Sequence, residues 1–455
     1  MTITIRSTTD ILPGETSSRQ RWLYSIANLG NSIPYQAVGA VLLFFYTDVK
    51  HMPAGWAAIA MSIYGIYNAL NNPLLGYLQD RTRSRWGRRL PYILFSTLPY
   101  ALAFILLWTP PFDGRQNPVG LLFYFSFFLF LWEGLGTAVS TAYYSLFPEM
   151  YSSYQERTDV AVRMNAVEVV GMIIGAALAP VLSEAIGYFP MSVLFALIAG
   201  GAMYLGLPAM FERRSYQEEK PIPLSVALKA TFVNRSFVAV VVAQTLRFFA
   251  TNTLTIGMMF YMKYSVKADP GLTTIILGVV FISAGAFLWP WRRFVARYLS
   301  TRTTTMWAYA ATGLAVIPLA FAHSTAMAIV GGVFIGFGLA GLNLVGDVIM
   351  ADVVDEDDVK TGQRRAGMFF GLSSLWTILS SSLVALIFGW VTHTYGYDTA
   401  LAVQPASVDL GFRVFMTIPP AIGCMLAIVA LWFYPLHGER LARVKAALAA
   451  RNAKK

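Results

Sequence analysis

Three asparagines, Asn68, Asn71 and Asn72, interrupt an apolar run at i, i+3 and i+4, which places them on one helical face. An amide in hydrocarbon costs free energy unless it is hydrogen-bonded, so this face must meet a polar cavity or neighbouring helices. Asn can lend a carbonyl to a cation but brings no negative charge and no titratable proton. Asn31, Ser32 and Gln36 upstream, and Thr137, Ser140, Thr141 and Tyr144 downstream, supply the donors and acceptors that a hydroxyl-rich ligand would pair with. Tyr35, Tyr67, Tyr143 and Trp376 are candidate aromatic platforms for such a ligand. Glu133, Glu168 and Arg247 also lie inside apolar runs. A charge near a bilayer centre costs about 2.5–3.5 kcal/mol on insertion scales, so such residues pair or serve function. Glu133 and Glu168 are candidates to carry a coupled proton, and Arg247 to pair with one of them or hold an anionic group. Helix–helix packing is the alternative for the amides and hydroxyls, and a static ion pair is the alternative for the charges.

The elements that hold these residues follow from composition. The chain has 455 residues, 56% hydrophobic and 13% charged, with a mean hydropathy of +0.56; soluble domains carry about 25% charged residues. Apolar runs of roughly 20 residues, long enough to span a bilayer, recur along the chain. Lipid offers backbone groups no partner, so these runs are expected to be helices. The fold class is therefore an all-α polytopic membrane protein, with twelve transmembrane helices at 21–47, 55–79, 91–110, 118–147, 160–184, 187–209, 235–264, 271–291, 304–322, 324–350, 366–392 and 411–434. The polar first 20 residues argue against a cleaved signal peptide. A lone cysteine, Cys424, allows no internal disulfide. The four histidines are scattered without ligand spacing, so no metal site is expected. No nucleophile–base set points to an enzyme.

Charge distribution sets orientation. With both termini cytoplasmic, 28 Lys/Arg fall inside, five outside (Lys50, Arg115, Lys263, Lys267, Arg413) and one, Arg247, within a span. The net charge of +10 thus reads as topology rather than nucleic-acid binding. The boundaries are a tail at 1–20, a six-helix bundle at 21–211, a loop at 212–234, a second bundle at 235–434 and a tail at 435–455. Two halves joined by a central loop suit a transporter rocking around a midplane site. At the cytoplasmic ends, Asp80, Arg85, Arg88, Arg89, Glu149, Glu156, Arg157, Arg163, Asp352, Asp355, Arg364 and Arg365 are candidates for inter-helix salt bridges that close a gate. Desolvation offsets much of such attraction, so the pairs can switch; holding topology is the plainer account.

Five stretches appear in order: FYTDV (45–49), NNPLLGYLQDRTRSRWGRRLPYIL (71–94), YSLFPEM (144–150), ERT with a following Arg163, and DVVDEDDVKTGQRRAG (352–367). Together they resemble the glycoside–pentoside–hexuronide:cation symporter family, the melibiose-permease-like branch of the major facilitator superfamily. The resemblance spans about 24–390. It implies a major facilitator fold of two six-helix halves and cation-coupled uptake of a sugar or glycoside across the plasma membrane by alternating access. The chain departs from the family where the family's chemistry lies. The family's D-A-I-N-D-P in helix two, whose carboxylates bind Na⁺ or H⁺, is here Asn68-Ala69-Leu70-Asn71-Asn72-Pro73. Its sugar-binding aspartates of helices one and four fall on Ser32 and Ser140, its helix-eleven lysine falls near Ile378, and Thr137 is kept. The expectations are a small-molecule substrate, no cofactor, H⁺ as the candidate coupling ion, no Na⁺ at the helix-two site, and function as a monomer in the bilayer. The alternatives are a lysolipid or other amphiphile carrier of the same fold, an uncoupled facilitator and, remotely, a non-transporting receptor.

Overall fold

A computed structural model describes residues 16–151, 154–212, 234–268, 270–295, 300–361, 366–401 and 403–452. The chain divides into two compact units, Met1–Lys220 with Asp398–Val403, and Pro221–Tyr397 with Gln404–Lys455. The first unit contains α1 (Ser18–Ile26), α2 (Leu29–Ala37), α3 (Ala54–Arg81), α4 (Leu90–Leu107), α5 (Pro118–Met150), α6 (Tyr154–Met172), α7 (Leu178–Ala185) and α8 (Tyr188–Gly206). The second contains α9 (Arg235–Tyr261), α10 (Pro270–Pro290), α11 (Thr301–Ala315), α12 (Thr325–Thr361), α13 (Ala366–Thr394), α14 (Ser407–Trp432) and α15 (Gly438–Asn452).

The local signals explain where the helices start. Side chains of Ser17, Asn117, Asn234 and Ser300 each accept a hydrogen bond from a first-turn N–H of α1, α5, α9 and α11. Among the described residues, ten helices are long and apolar enough to cross a membrane. The two expected spans that fall short have visible reasons. The first is broken at Ala27–Asn28 and carries π turns at Val38–Leu42 and Phe45–Val49. The second, α3, loses hydropathy to its amides.

The two faces of α3 show how a bilayer protein sorts its residues. Ile59, Ile63, Ile66, Leu70 and Leu74, spaced by three or four, are each at least half exposed. Ala57, Met61, Tyr64, Asn68 and Asn71, at the same spacing on the other side, are buried. In water such an apolar stripe would be a liability; in lipid it is the outer surface, and the polar stripe turns inward. The unit's core gathers around Tyr24 and Tyr143, whose rings stack at 4.6 Å. Each hydroxyl donates to the other residue's backbone carbonyl, at 2.7 and 2.9 Å.

Close approach of α2 to α6 and the π turn after it needs Gly171 and Gly175. A Cβ on Gly171 would lie 2.2 Å from Ser32 Oγ, and one on Gly175 2.5 Å from the backbone oxygen of Ile33. This is the small-xxx-small spacing that lets membrane helices touch. Gly175→Ala is expected to lower stability by about 1–3 kcal/mol, the usual cost of overpacking. The measurement is the thermal midpoint in detergent, and an unchanged midpoint would contradict this packing.

Candidate functional site in the first unit

Glu133, on α5, is buried at 7% exposure. Tyr64 Oη on α3 donates to its Oε2 at 2.7 Å, and Thr137 Oγ1, one turn along, donates to its Oε1 at 3.2 Å. Both carboxyl oxygens are therefore occupied by neutral donors. Tyr35, Tyr67 and Tyr100 lie within electrostatic reach of the same carboxyl. Tyr67 stacks on Phe130 at 5.2 Å, and its hydroxyl lies 2.7 Å from where a Cβ on Gly134 would stand. Glu133 is thus a buried acid ringed by phenols.

Asn68 and Asn71 are both 6% exposed on the α3 face that carries Tyr64. Asn72 Nδ2 donates to Asn68 Oδ1 at 3.2 Å. Asn71 Nδ2 and Asn31 Nδ2 are buried with no hydrogen-bond acceptor among the described residues. Native proteins leave few buried donors unpaired, and each such group asks for an explanation.

Glu168, on α6, sits in a different setting. Asn28, at the break between α1 and α2, donates through Nδ2 to Glu168 Oε2 at 2.7 Å. Tyr144 Oη donates to Asn28 Oδ1 at 2.9 Å. Ser32 is 4% exposed, packs on Gly171 and points its hydroxyl at the Glu168 backbone oxygen, 3.5 Å away. The Cβ of Gln36 abuts Gly175, so Ser32 and Gln36 both face α6 and its π turn. Ser140 donates to the Thr137 carbonyl at 3.4 Å, and Thr141 is part-buried. Tyr35 and Tyr144 are about half exposed, at 52% and 47%.

Arg247 and Trp376 belong to the second unit. Arg247 lies against α12, donating weakly to Leu342 O (3.4 Å) and Asn343 Oδ1 (3.5 Å), with its guanidinium over the Phe248 ring. Trp376 lines an apolar groove of about 620 Å³ with Phe237, Val241, Leu246 and Leu426. A sugar's hydroxyls would find few partners in that groove.

The charged ends brace each unit internally. Glu149 takes Arg88 at 2.9 Å and Arg89 at 2.7 Å, and Arg89 also meets Asp80 at 3.4 Å. Burial pushes the Glu149 carboxyl up from its ordinary range, while the two guanidiniums pull it down. Glu212, 1% exposed, accepts the backbone N–H groups of Arg88, Arg89 and Leu90 at 2.9, 2.7 and 3.3 Å. Its carboxylate therefore caps the positive end of α4. Arg21 joins Glu156 and Asp159, Arg163 joins Asp159 and the Ser18 carbonyl, and Arg157 donates to the Tyr151 carbonyl. Arg85 is exposed over Trp86. In the second unit α15 is tied to the end of α12 through Lys445–Asp352 (3.4 Å) and Arg440–Glu356. Asp355 is half-buried one turn from Asp352, while Arg364 and Arg365 lie outside the described residues. Each of these pairs joins residues of a single unit.

Sequence reading missed Asn28, Tyr64, Glu212 and Arg440. Asn28 lies three residues before Asn31 in the same apolar stretch, and Tyr64 four before Asn68, so periodicity could have found both. Nothing local marks Glu212 or Arg440.

The chain matches the family described as MFS/sugar transport protein over residues 23–438. It is 25% identical to the isoprimeverose transporter of Lactiplantibacillus pentosus, covering 91% of this chain and 88% of that one. It is 21% identical to the sodium-dependent lysophosphatidylcholine symporter 1-A of Danio rerio, covering 90% and 84%. Its fold is similar to that of a crystallised nucleoside transporter, with TM-score 0.69 at 14% identity over 91% and 100%. The fold and the buried polar face thus define a multi-pass secondary transporter, not an enzyme. The chain belongs to the MFS/sugar transport protein family and is a secondary active sugar transporter.

Proposed function

We propose that the protein moves a neutral sugar or glycoside across the plasma membrane by alternating access, with twelve membrane-crossing helices, both termini cytoplasmic, and the monomer as the working unit. The observation that carries this reading is the pairing of two orphaned amide donors, Asn31 and Asn71, with a buried acid that no cation neutralises among the described residues. The amides suit hydroxyl recognition, and Glu133 suits H⁺ coupling. A carboxyl held only by neutral donors can take up a proton without stranding a buried cation.

Na⁺ is not expected to act at helix two, because Asn68, Asn71 and Asn72 bring neutral carbonyls and no carboxylate to that face. The intra-unit ion pairs are taken as braces that keep each half rigid while the halves rock, and they need not break in the cycle. The lysolipid-symporter relative favours a second reading, an amphiphile carrier.

The test is uptake into proteoliposomes across a panel of neutral glycosides, uronides and lysolipids, with imposed H⁺ or Na⁺ gradients. Glycoside accumulation driven by H⁺ and indifferent to Na⁺ is the expected outcome. Uptake of lysolipid alone would favour the second reading. A saturable Na⁺ dependence lost in Asn68→Ala would refute the ion assignment.

A further inference from the structure

We infer that the second unit holds one anionic phospholipid of the bilayer: an acyl chain lies in the apolar groove between α9 and α14, and the phosphate sits at Arg235. The inference does not depend on which solute the protein carries.

The groove beside Trp376 continues past Leu426. A second cavity, of about 450 Å³, is lined by Arg235, Val238, Val242, Ala430 and Phe433. Val238, Val242 and Ala430 line both spaces, so the two form one trough. Every lining residue belongs to the second unit. The α9 wall runs from Arg235 to Leu246, roughly 16 Å at the helical rise of about 1.5 Å per residue. That is about half of a hydrocarbon core of roughly 30 Å, the depth of a single leaflet. Val238, Val242, Leu426 and Val429 are exposed along the trough. An acyl chain gains little transfer free energy on moving here from lipid, because both surroundings are hydrocarbon. Selection must therefore come from the mouth.

The mouth is cationic. Arg235 is exposed and is the first residue of α9, where the helix dipole is already positive and a further positive charge is unfavourable. The capping Asn234 brings only a neutral amide oxygen. Arg302 stands at the same mouth, donating to the carbonyls of Leu431 at 2.9 Å and Trp432 at 2.7 Å, beside Phe433. Those acceptors are neutral as well. The acids at this end are taken by other cations: Asp352, near Thr301, by Lys445, and Glu356, near Ser236, by Lys360 and Arg440. Among the described residues no carboxylate pairs with Arg235 or Arg302. Two such guanidiniums above an apolar trough one leaflet deep match a phosphate that carries an acyl chain. In the orientation proposed above they lie on the cytoplasmic side, where anionic lipids collect.

The experiment is native mass spectrometry of the whole protein released from micelles that contain phosphatidylglycerol or phosphatidylcholine with identical chains. The wild-type protein is expected to keep one phosphatidylglycerol, and phosphatidylcholine far less often. Arg235→Gln should lower phosphatidylglycerol retention about fivefold, the factor that one basic residue contributes at an anionic surface, while Arg235→Lys stays near wild type. Val242→Trp, which fills the trough, should lower retention of both lipids. Arg83→Ala, exposed in the first unit, should change neither. Thermal midpoints in detergent check that each variant is folded, and if Val242→Trp is not, the Arg235 variants decide the matter. Equal retention of the two lipids by the wild-type protein, or wild-type phosphatidylglycerol retention in Arg235→Gln, overturns the proposal. Displacement of phosphatidylglycerol by a lysolipid that the protein then transports also overturns it, because the trough would belong to the substrate path.

Discussion

Glu133→Gln is expected to abolish uphill accumulation of glycoside under an H⁺ gradient while counterflow exchange continues. The reason lies in the chemistry of the enclosed acid. Glutamine is nearly the same size, can still accept from Tyr64 Oη, and leaves α3 and α5 packed as before. It cannot take up or release a proton. Because the hydrogen-bonded neighbours of Glu133 are neutral hydroxyls, the substitution leaves no paired cation stranded among the described residues. The loss should therefore appear in the coupled step and not in folding. The measurements are the steady-state internal-to-external ratio and the exchange rate in the same vesicles. An accumulation ratio equal to that of the wild-type protein would refute the assignment, and loss of both activities would place Glu133 in binding or folding.

The second large effect concerns stability. Glu212→Ala should cost about 3–5 kcal/mol, the range for removing one partner from a buried charged cluster. Three N–H groups at the start of α4 lose their acceptor, and Arg88, buried at 6% exposure, loses a carboxylate 4.0 Å from its Nε. Glu212→Gln should recover part of this, since its amide oxygen still accepts but carries no charge. Arg83→Ala, at an exposed site, should stay within about 0.5 kcal/mol. Thermal midpoints in detergent measure all three. Equal midpoints for Glu212→Ala and Arg83→Ala would show that the α4 cap contributes nothing.

Much of this was legible in the residues alone. Of the twelve apolar runs expected to span the bilayer, ten are helices of membrane-crossing length and composition among the described residues, because hydrogen bonding in lipid leaves little choice but helix. The asparagine spacing identified the buried face of α3, since a 3.6-residue period places i, i+3 and i+4 together. Glu133 and Glu168 stood out because charge is costly in hydrocarbon. Their roles did not. Sequence treats both as acids inside apolar runs, and only the fold places Tyr64 and Thr137 on the oxygens of one and the Asn28 amide on the other.

The charged ends divide in the same way. That Arg88 and Arg89 lie at a basic end can be counted from the chain. That both share Glu149, and that Glu212 more than 120 residues away closes over the start of α4, depends on which helix ends pack together. Sequence by itself settled which residues must lie in lipid and which must avoid it, because transfer free energy belongs to each side chain. The tertiary structure alone settled which polar group meets which, because a hydrogen bond depends on where two distant segments are brought within about 3 Å.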